Sequence, residues 1–151
     1  MKKNIDPSNE LEASDFEGCD IVFTHELEDL KDVQFFIVAV PTPIDDFKNP
    51  NLDSLISASQ LVGRALEKRD NNTCPIIIYE STVYPGTTQE VCIPLIEKES
   101  GLFCDISKNN AFACGYSPER INPGDNKHRL KDIVKITSGS NTNVAKWIDL
   151  F

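Results

Sequence analysis

Three stretches of the chain set carboxylates, hydroxyls or prolines just where apolar runs stop: Val40-Pro41-Thr42-Pro43, Glu80-Ser81-Thr82 and Ser117-Pro118-Glu119-Arg120. A carboxylate so placed can position a water molecule or take a proton from a substrate. A hydroxyl on a rigid turn, with the backbone groups around it, can be held against a flat ligand. Each stretch also has a plainer reading. Pro41 and Pro43 fix φ and deny the chain both helix and ladder, which is all an exit turn requires. Glu80 can serve in ion pairs, and Glu119 can bridge to Arg120 or Arg129. Other chemistries find less support. Ser81 is flanked by Tyr79, Glu80, Thr82 and Val83, so neither glycine of a G-x-S-x-G nucleophile elbow is present. His128 stands between Lys127 and Arg129 and reads as a solvated surface residue rather than a base. The histidines and cysteines show no metal-ligand spacing, and no metal is expected.

The 151 residues suffice for one domain with its own core. Hydrophobic residues make up 40% and charged residues 26%, the balance of a globular chain. A formal net charge of -9 argues against nucleic acid or anionic membrane as the partner. Backbone N–H groups can still hold a phosphate inside an acidic protein. No apolar run approaches the ~18 residues of a membrane span, and no secretory leader pattern opens the chain. The five cysteines are scattered, with no C-x-x-C pair, and read as the reduced thiols of a cytoplasmic protein. Asn71-Asn72-Thr73 matches a glycosylation sequon, a tripeptide that also arises by chance.

The elements that must position the polar stretches follow from periodicity. Residues 1–19 form a polar, turn-rich N-terminal segment. A short strand is expected at 20–24 and one or two helical turns at 25–32. The apolar run 33–40, stopped by Pro41, is a strand apolar on both faces, as a helix-covered parallel sheet demands. Leu52, Leu55, Ile56, Leu61, Val62, Ala65 and Leu66 repeat at helical spacing. Residues 76–79 form the next strand. A helix over 87–99 should open with a capping box from Thr87 to Glu90, divide at Pro94 and stop at Ser100-Gly101. Strands at 111–116 and 133–139 and an amphipathic helix from 143 complete the pattern. Alternating strands and helices specify an open, doubly wound, mostly parallel α/β sheet. Right-handed crossovers then gather the strand-to-helix loops on one edge, where such sheets bind ligands.

Read in order, V-A-V-P-T-P-I-D, I-I-I-Y-E-S-T-V-Y-P-G-T-T-Q-E-V, S-G-L, G-Y-S-P-E-R-I-N-P-G-D and K-I-T-S-G-S resemble the nucleotide-sugar 6-dehydrogenases. The branch that fits best is the UDP-N-acetyl-hexosamine dehydrogenases of bacterial surface-polysaccharide pathways, relatives of UDP-glucose dehydrogenase. The resemblance runs from about residue 21 to residue 151. It implies a Rossmann-like NAD-binding domain and a UDP-sugar whose C6 alcohol is oxidised twice to the uronic acid, by way of a cysteine-bound thioester. It further implies that Pro41 and Thr42 contact the cofactor, that Thr82 lies by the nicotinamide and helps order the catalytic water, and that Glu119 assists water attack. Arg120, Ile121 and Asn122 would line the sugar-phosphate pocket. Pro123 stands where UDP-glucose dehydrogenases carry a second glutamate, in keeping with the N-acetyl-sugar branch. A homo-oligomer is implied for the full-length enzyme.

The family's G-x-G-x-x-G fingerprint does not occur, since no two of the seven glycines are separated by one residue. None of the five cysteines lies in a glycine-rich nucleophile loop. Residues 20–151 are therefore expected to be a partial, incomplete Rossmann-like domain lacking its first βαβ unit, with the central helix and second domain elsewhere. A non-catalytic α/β nucleotide-binding or interaction module, a remnant of such an enzyme, is the alternative.

Overall fold

Apolar runs without helical periodicity pair where their neighbours are also strands, and three do so here. The computed structural model describes residues 12–69, 73–120 and 134–150. Strand β1 is Phe35–Val38, and helix α1, Asp53–Glu67, follows it. Strand β2 is Ile76–Tyr79. A π-helical turn, Thr88–Cys92, then runs directly into α2, Ile93–Ser100. Strand β3 is Ala113–Tyr116, the two-residue β4 is Ser138–Gly139, and α3 is Thr142–Asp149. The sheet order is β1-β2-β3-β4. The first three strands are parallel, with Val38 opposite Tyr79 and Tyr79 opposite Tyr116, and β4 runs antiparallel to β3.

Parallel neighbours need a crossover, and the two helical connections cover one face. Phe36, Val38, Ile77, Tyr79 and Cys114 pack there against Leu55, Val62 and Leu66 of α1 and Ile96 of α2. On the other face Val144 and Ile148 of α3 seal Ile76, Ile78 and Ala113. Helices on both faces make the sheet doubly wound, as the sequence predicts. Among the described residues the cover is thinner at β1: Phe35 and Ile37, which pair with Ile76 and Ile78, are 41% and 49% exposed.

Several local expectations change. Residues 20–24 form no strand, and Ile21 and Val22 are exposed, because a strand exists only through a ladder partner. The turns expected at 25–32 reduce to a single 3₁₀ turn, Leu27–Leu30, too short to pay for helix nucleation. The capping box at Thr87 does not form. Thr87 already has helical dihedrals, and its buried hydroxyl donates to the Tyr84 carbonyl at 2.8 Å. Pro94 does divide the segment: it sits in the first turn of α2, and the wider π turn before it absorbs the missing N–H. Gly101 ends α2 with φ of 69°, the left-handed cap that glycine adopts without strain. Of the strand expected over 133–139, only Ser138–Gly139 pairs; residue 133 lies outside the described residues.

Candidate functional site

The carboxyl ends of β1, β2 and β3 lie side by side, and the ladder continues past them. Glu80 N–H donates to the Val38 carbonyl at 2.9 Å, Ser117 N–H to the Tyr79 carbonyl at 2.9 Å, and Glu119 N–H to the Glu80 carbonyl at 3.2 Å. Two side chains then rivet the first loop to the second. The Ser81 hydroxyl donates to the Val40 carbonyl at 2.6 Å. The Thr42 hydroxyl donates to the Thr82 carbonyl at 2.6 Å. Pro41 and Pro43 keep the first loop extended, so both bonds form across a gap the backbone already fixes.

These contacts shape a cleft of about 350 Å³ walled by the turn 39–42, by Glu80, Ser81 and Thr82, and by Glu119. Pro41, Thr42, Thr82 and Glu119, singled out separately in the sequence, thus share one rim. Arg120 is exposed next to Glu119 but does not wall the cleft, and the two form no ion pair among the described residues. Ile121 and Asn122 lie outside the described residues, as do His128 and Arg129.

Two features go beyond the sequence reading. Glu80 pairs with Lys135, 55 positions away, so one of the two rim carboxylates carries its own counter-charge. Ser81 is buried and structural, a role that a hydroxyl at a strand exit could have suggested. Beneath the rim Tyr79 is buried, and its hydroxyl meets Ser59 Oγ at 2.7 Å. Burial pushes the phenol well above its ordinary range, so this core residue, which does not line the cleft, stays neutral. No group of three or more potential metal ligands occurs among the described residues, and none of their helices is long and apolar enough to cross a membrane.

The cleft offers carbonyls, hydroxyls and a carboxylate on a preformed rim, at a size suited to one planar ring with its sugar. Those residues fit one end of a dinucleotide. The sequence has no glycine-rich turn that would cradle a pyrophosphate.

An open, mostly parallel sheet, wound on both faces and carrying such a cleft outside its strand ends, defines a Rossmann-type nucleotide-binding unit. The chain belongs to the UDP-glucose/GDP-mannose dehydrogenase family, whose NAD binding domain matches residues 9–148. It is 47% identical over 150 residues to a UDP-N-acetyl-D-glucosamine 6-dehydrogenase of Pseudomonas aeruginosa, a match covering 99% of this chain and 33% of that protein. It is 44% identical to Protein CapL of Staphylococcus aureus, covering 98% of this chain and 33% of the other. The chain thus spans about a third of the length of these curated relatives. Among solved structures, a UDP-D-ManNAc dehydrogenase from Pyrococcus horikoshii superposes with a TM-score of 0.65 at 31% identity, covering 84% of this chain and 28% of that one. A UDP-glucose dehydrogenase from Pyrobaculum islandicum reaches 0.67 at 19% identity over 83% of this chain and 27% of its own, a likeness of fold alone.

Proposed function

We propose that this chain supplies part of the NAD-binding half of a UDP-sugar 6-dehydrogenase that oxidises the C6 alcohol of a UDP-N-acetyl-hexosamine, or of UDP-glucose, to the uronic acid for surface-polysaccharide synthesis. The observation that carries this reading is the shared rim of Thr42, Thr82 and Glu119 in a chain of this family. NAD, when bound, accepts the hydride. The residues here do the positioning. The turn at Pro41 and Thr42 presents backbone and side-chain groups to the nicotinamide end of the cofactor. Thr82, exposed on the rim, helps order a water molecule. Glu119, anchored through its own N–H to Glu80, orients that water and takes its proton. Arg120, Ile121 and Asn122 follow directly and would meet the sugar phosphates. We assign residues 20–151 to a partial Rossmann domain, a UDP-sugar as the partner, a cytoplasmic location, and a homo-oligomer for the full-length enzyme.

A graft tests the reading. In the Pseudomonas aeruginosa relative the matching stretch is replaced by this chain, and NADH production is followed with UDP-N-acetyl-D-glucosamine. The graft should turn over, and Glu119→Gln within it should slow turnover by about 100-fold, in the range of a lost general base, while NAD affinity holds within about twofold. Unchanged turnover in Glu119→Gln would refute the role given to that carboxylate. A folded but inactive parent graft would favour the non-catalytic module.

A further inference from the structure

Reactive side chains also meet away from the rim, where the chain leaving α2 passes the start of β3. That passage is pinned by backbone bonds: Phe103 N–H to the Asn110 carbonyl at 3.1 Å and Phe112 N–H to the Phe103 carbonyl at 2.9 Å. Cys104 N–H donates to Glu97 Oε1 at 2.9 Å. Cys104 is thereby brought beside Cys114 of β3, and the two line one cavity. Ser140 N–H donates to the Cys114 carbonyl at 2.8 Å, which places Ser140 on the same cavity wall. That cavity is about 370 Å³. Cys104 is half-buried, and Cys114 behind it is only 2% exposed.

The surroundings make the two thiols unequal. The neighbouring Cys114 thiol, seconded by Ser140, holds Cys104 below the ordinary thiol range, against burial and the carboxylates of Glu97 and Asp105. The same pairing, together with burial, pushes Cys114 well up. Thiolate, the nucleophilic form, is therefore favoured at the sulfur that opens to the cavity. Cys74, a neighbour of Cys104, is pushed up by burial.

We propose that Cys104 is a site of reversible oxidation by peroxide, and that Cys114 is the thiol that resolves it into an intrachain disulfide. The Cys104 thiolate attacks one oxygen of hydrogen peroxide and the O–O bond breaks. This yields a sulfenic acid and hydroxide, which leaves as water on taking a proton. The Cys114 sulfur then attacks the sulfenic sulfur: the S–S bond forms, the S–O bond breaks, and a second water leaves with the Cys114 proton. Two thiols have lost two electrons and peroxide has gained them. A dithiol reverses the change by exchange.

The test uses the 151-residue chain, reduced, freed of reductant, treated with hydrogen peroxide, alkylated and digested with trypsin. Cleavage after Lys108 separates residues 99–108, which hold Cys104, from residues 109–120, which hold Cys114. These two peptides should appear joined, with two of the five thiols lost together, and dithiothreitol should part them. In Cys114→Ser the link should vanish and a sulfenic-acid trap such as dimedone should label Cys104. In Cys104→Ser, Cys114 should stay reduced. Cys104 remaining a free thiol while Cys19 or Cys74 oxidises, a link from Cys104 to Cys74, or links only between chains would each overturn the proposal.

Discussion

Tyr79 shows how a single side chain can stabilise a site without joining its chemistry. Its ring fills the core under the rim, and its hydroxyl shares a 2.7 Å hydrogen bond with Ser59 Oγ, which in turn donates to the Leu55 carbonyl at 2.8 Å. Burial raises the phenol far above its ordinary value of 10.0. The folded state therefore keeps its proton where the unfolded chain would lose it. The stability this contributes is complete below the ordinary value and is lost as pH climbs past it. Urea midpoints measured at about pH 8 and about pH 10.5 should fall between the two in the wild type, and fall less in Tyr79→Phe. Near neutrality that variant should cost only about 1 kcal/mol, because Ser59 still donates to the Leu55 carbonyl. Equal pH dependence in the two proteins would show that Tyr79 is not the group responsible.

At the scale of elements, the helices are fixed by small residues and caps. A Cβ on Gly63 of α1 would stand 2.6 Å from Glu99 Cβ and 3.2 Å from the Ile96 carbonyl of α2. The close approach of the two helices depends on that missing carbon, not on any conformational freedom of glycine. Gly63→Ala should destabilise the chain by roughly 1–3 kcal/mol despite the better helix propensity of alanine, as read by chemical denaturation. At the other end of the fold, the Asn141 side chain accepts from Asn143 N–H at 2.9 Å and Val144 N–H at 3.0 Å. Asn141→Ala should lose about 1 kcal/mol. A midpoint unchanged by it would mean that packing of Val144 and Ile148 alone sets α3. Much of this level was legible beforehand, because period and cap chemistry are local. The failures share a cause. Residues 20–24 have the composition of a strand, but pairing is not a property of the strand itself. Thr87 has the pattern of a cap, but tertiary burial turned its hydroxyl toward Tyr84.

For the molecule as a whole, the sheet is doubly wound but unevenly covered. Phe35 and Ile37 of β1 face outward beside a cleft formed with Leu30, Val33, Ala58 and Leu61, and β1 is the edge of the four strands. An exposed apolar edge strand is a template for association. The 151-residue polypeptide should therefore self-associate with rising concentration in sedimentation experiments. Ile37→Lys, which sets a charge on that edge, should weaken the association by about tenfold or more, the effect used by natural sheets to protect their edges. Concentration-independent sedimentation of the unmodified chain would remove the basis for this expectation.

By itself the sequence determined the kind of each long element, the parallel character of the sheet, and the edge on which Thr42, Thr82 and Glu119 would gather. Apolar runs, helical spacing and prolines act over a few residues, and the hand of a crossover follows from chain chirality. Only the tertiary structure decided what meets across long separations: Lys135 on Glu80, Ser81 on the Val40 carbonyl, Cys104 beside Cys114, and an outer face of β1 that stays partly exposed among the described residues. Such contacts depend on strand register and on where each loop closes. Neither is written in the period of any single segment.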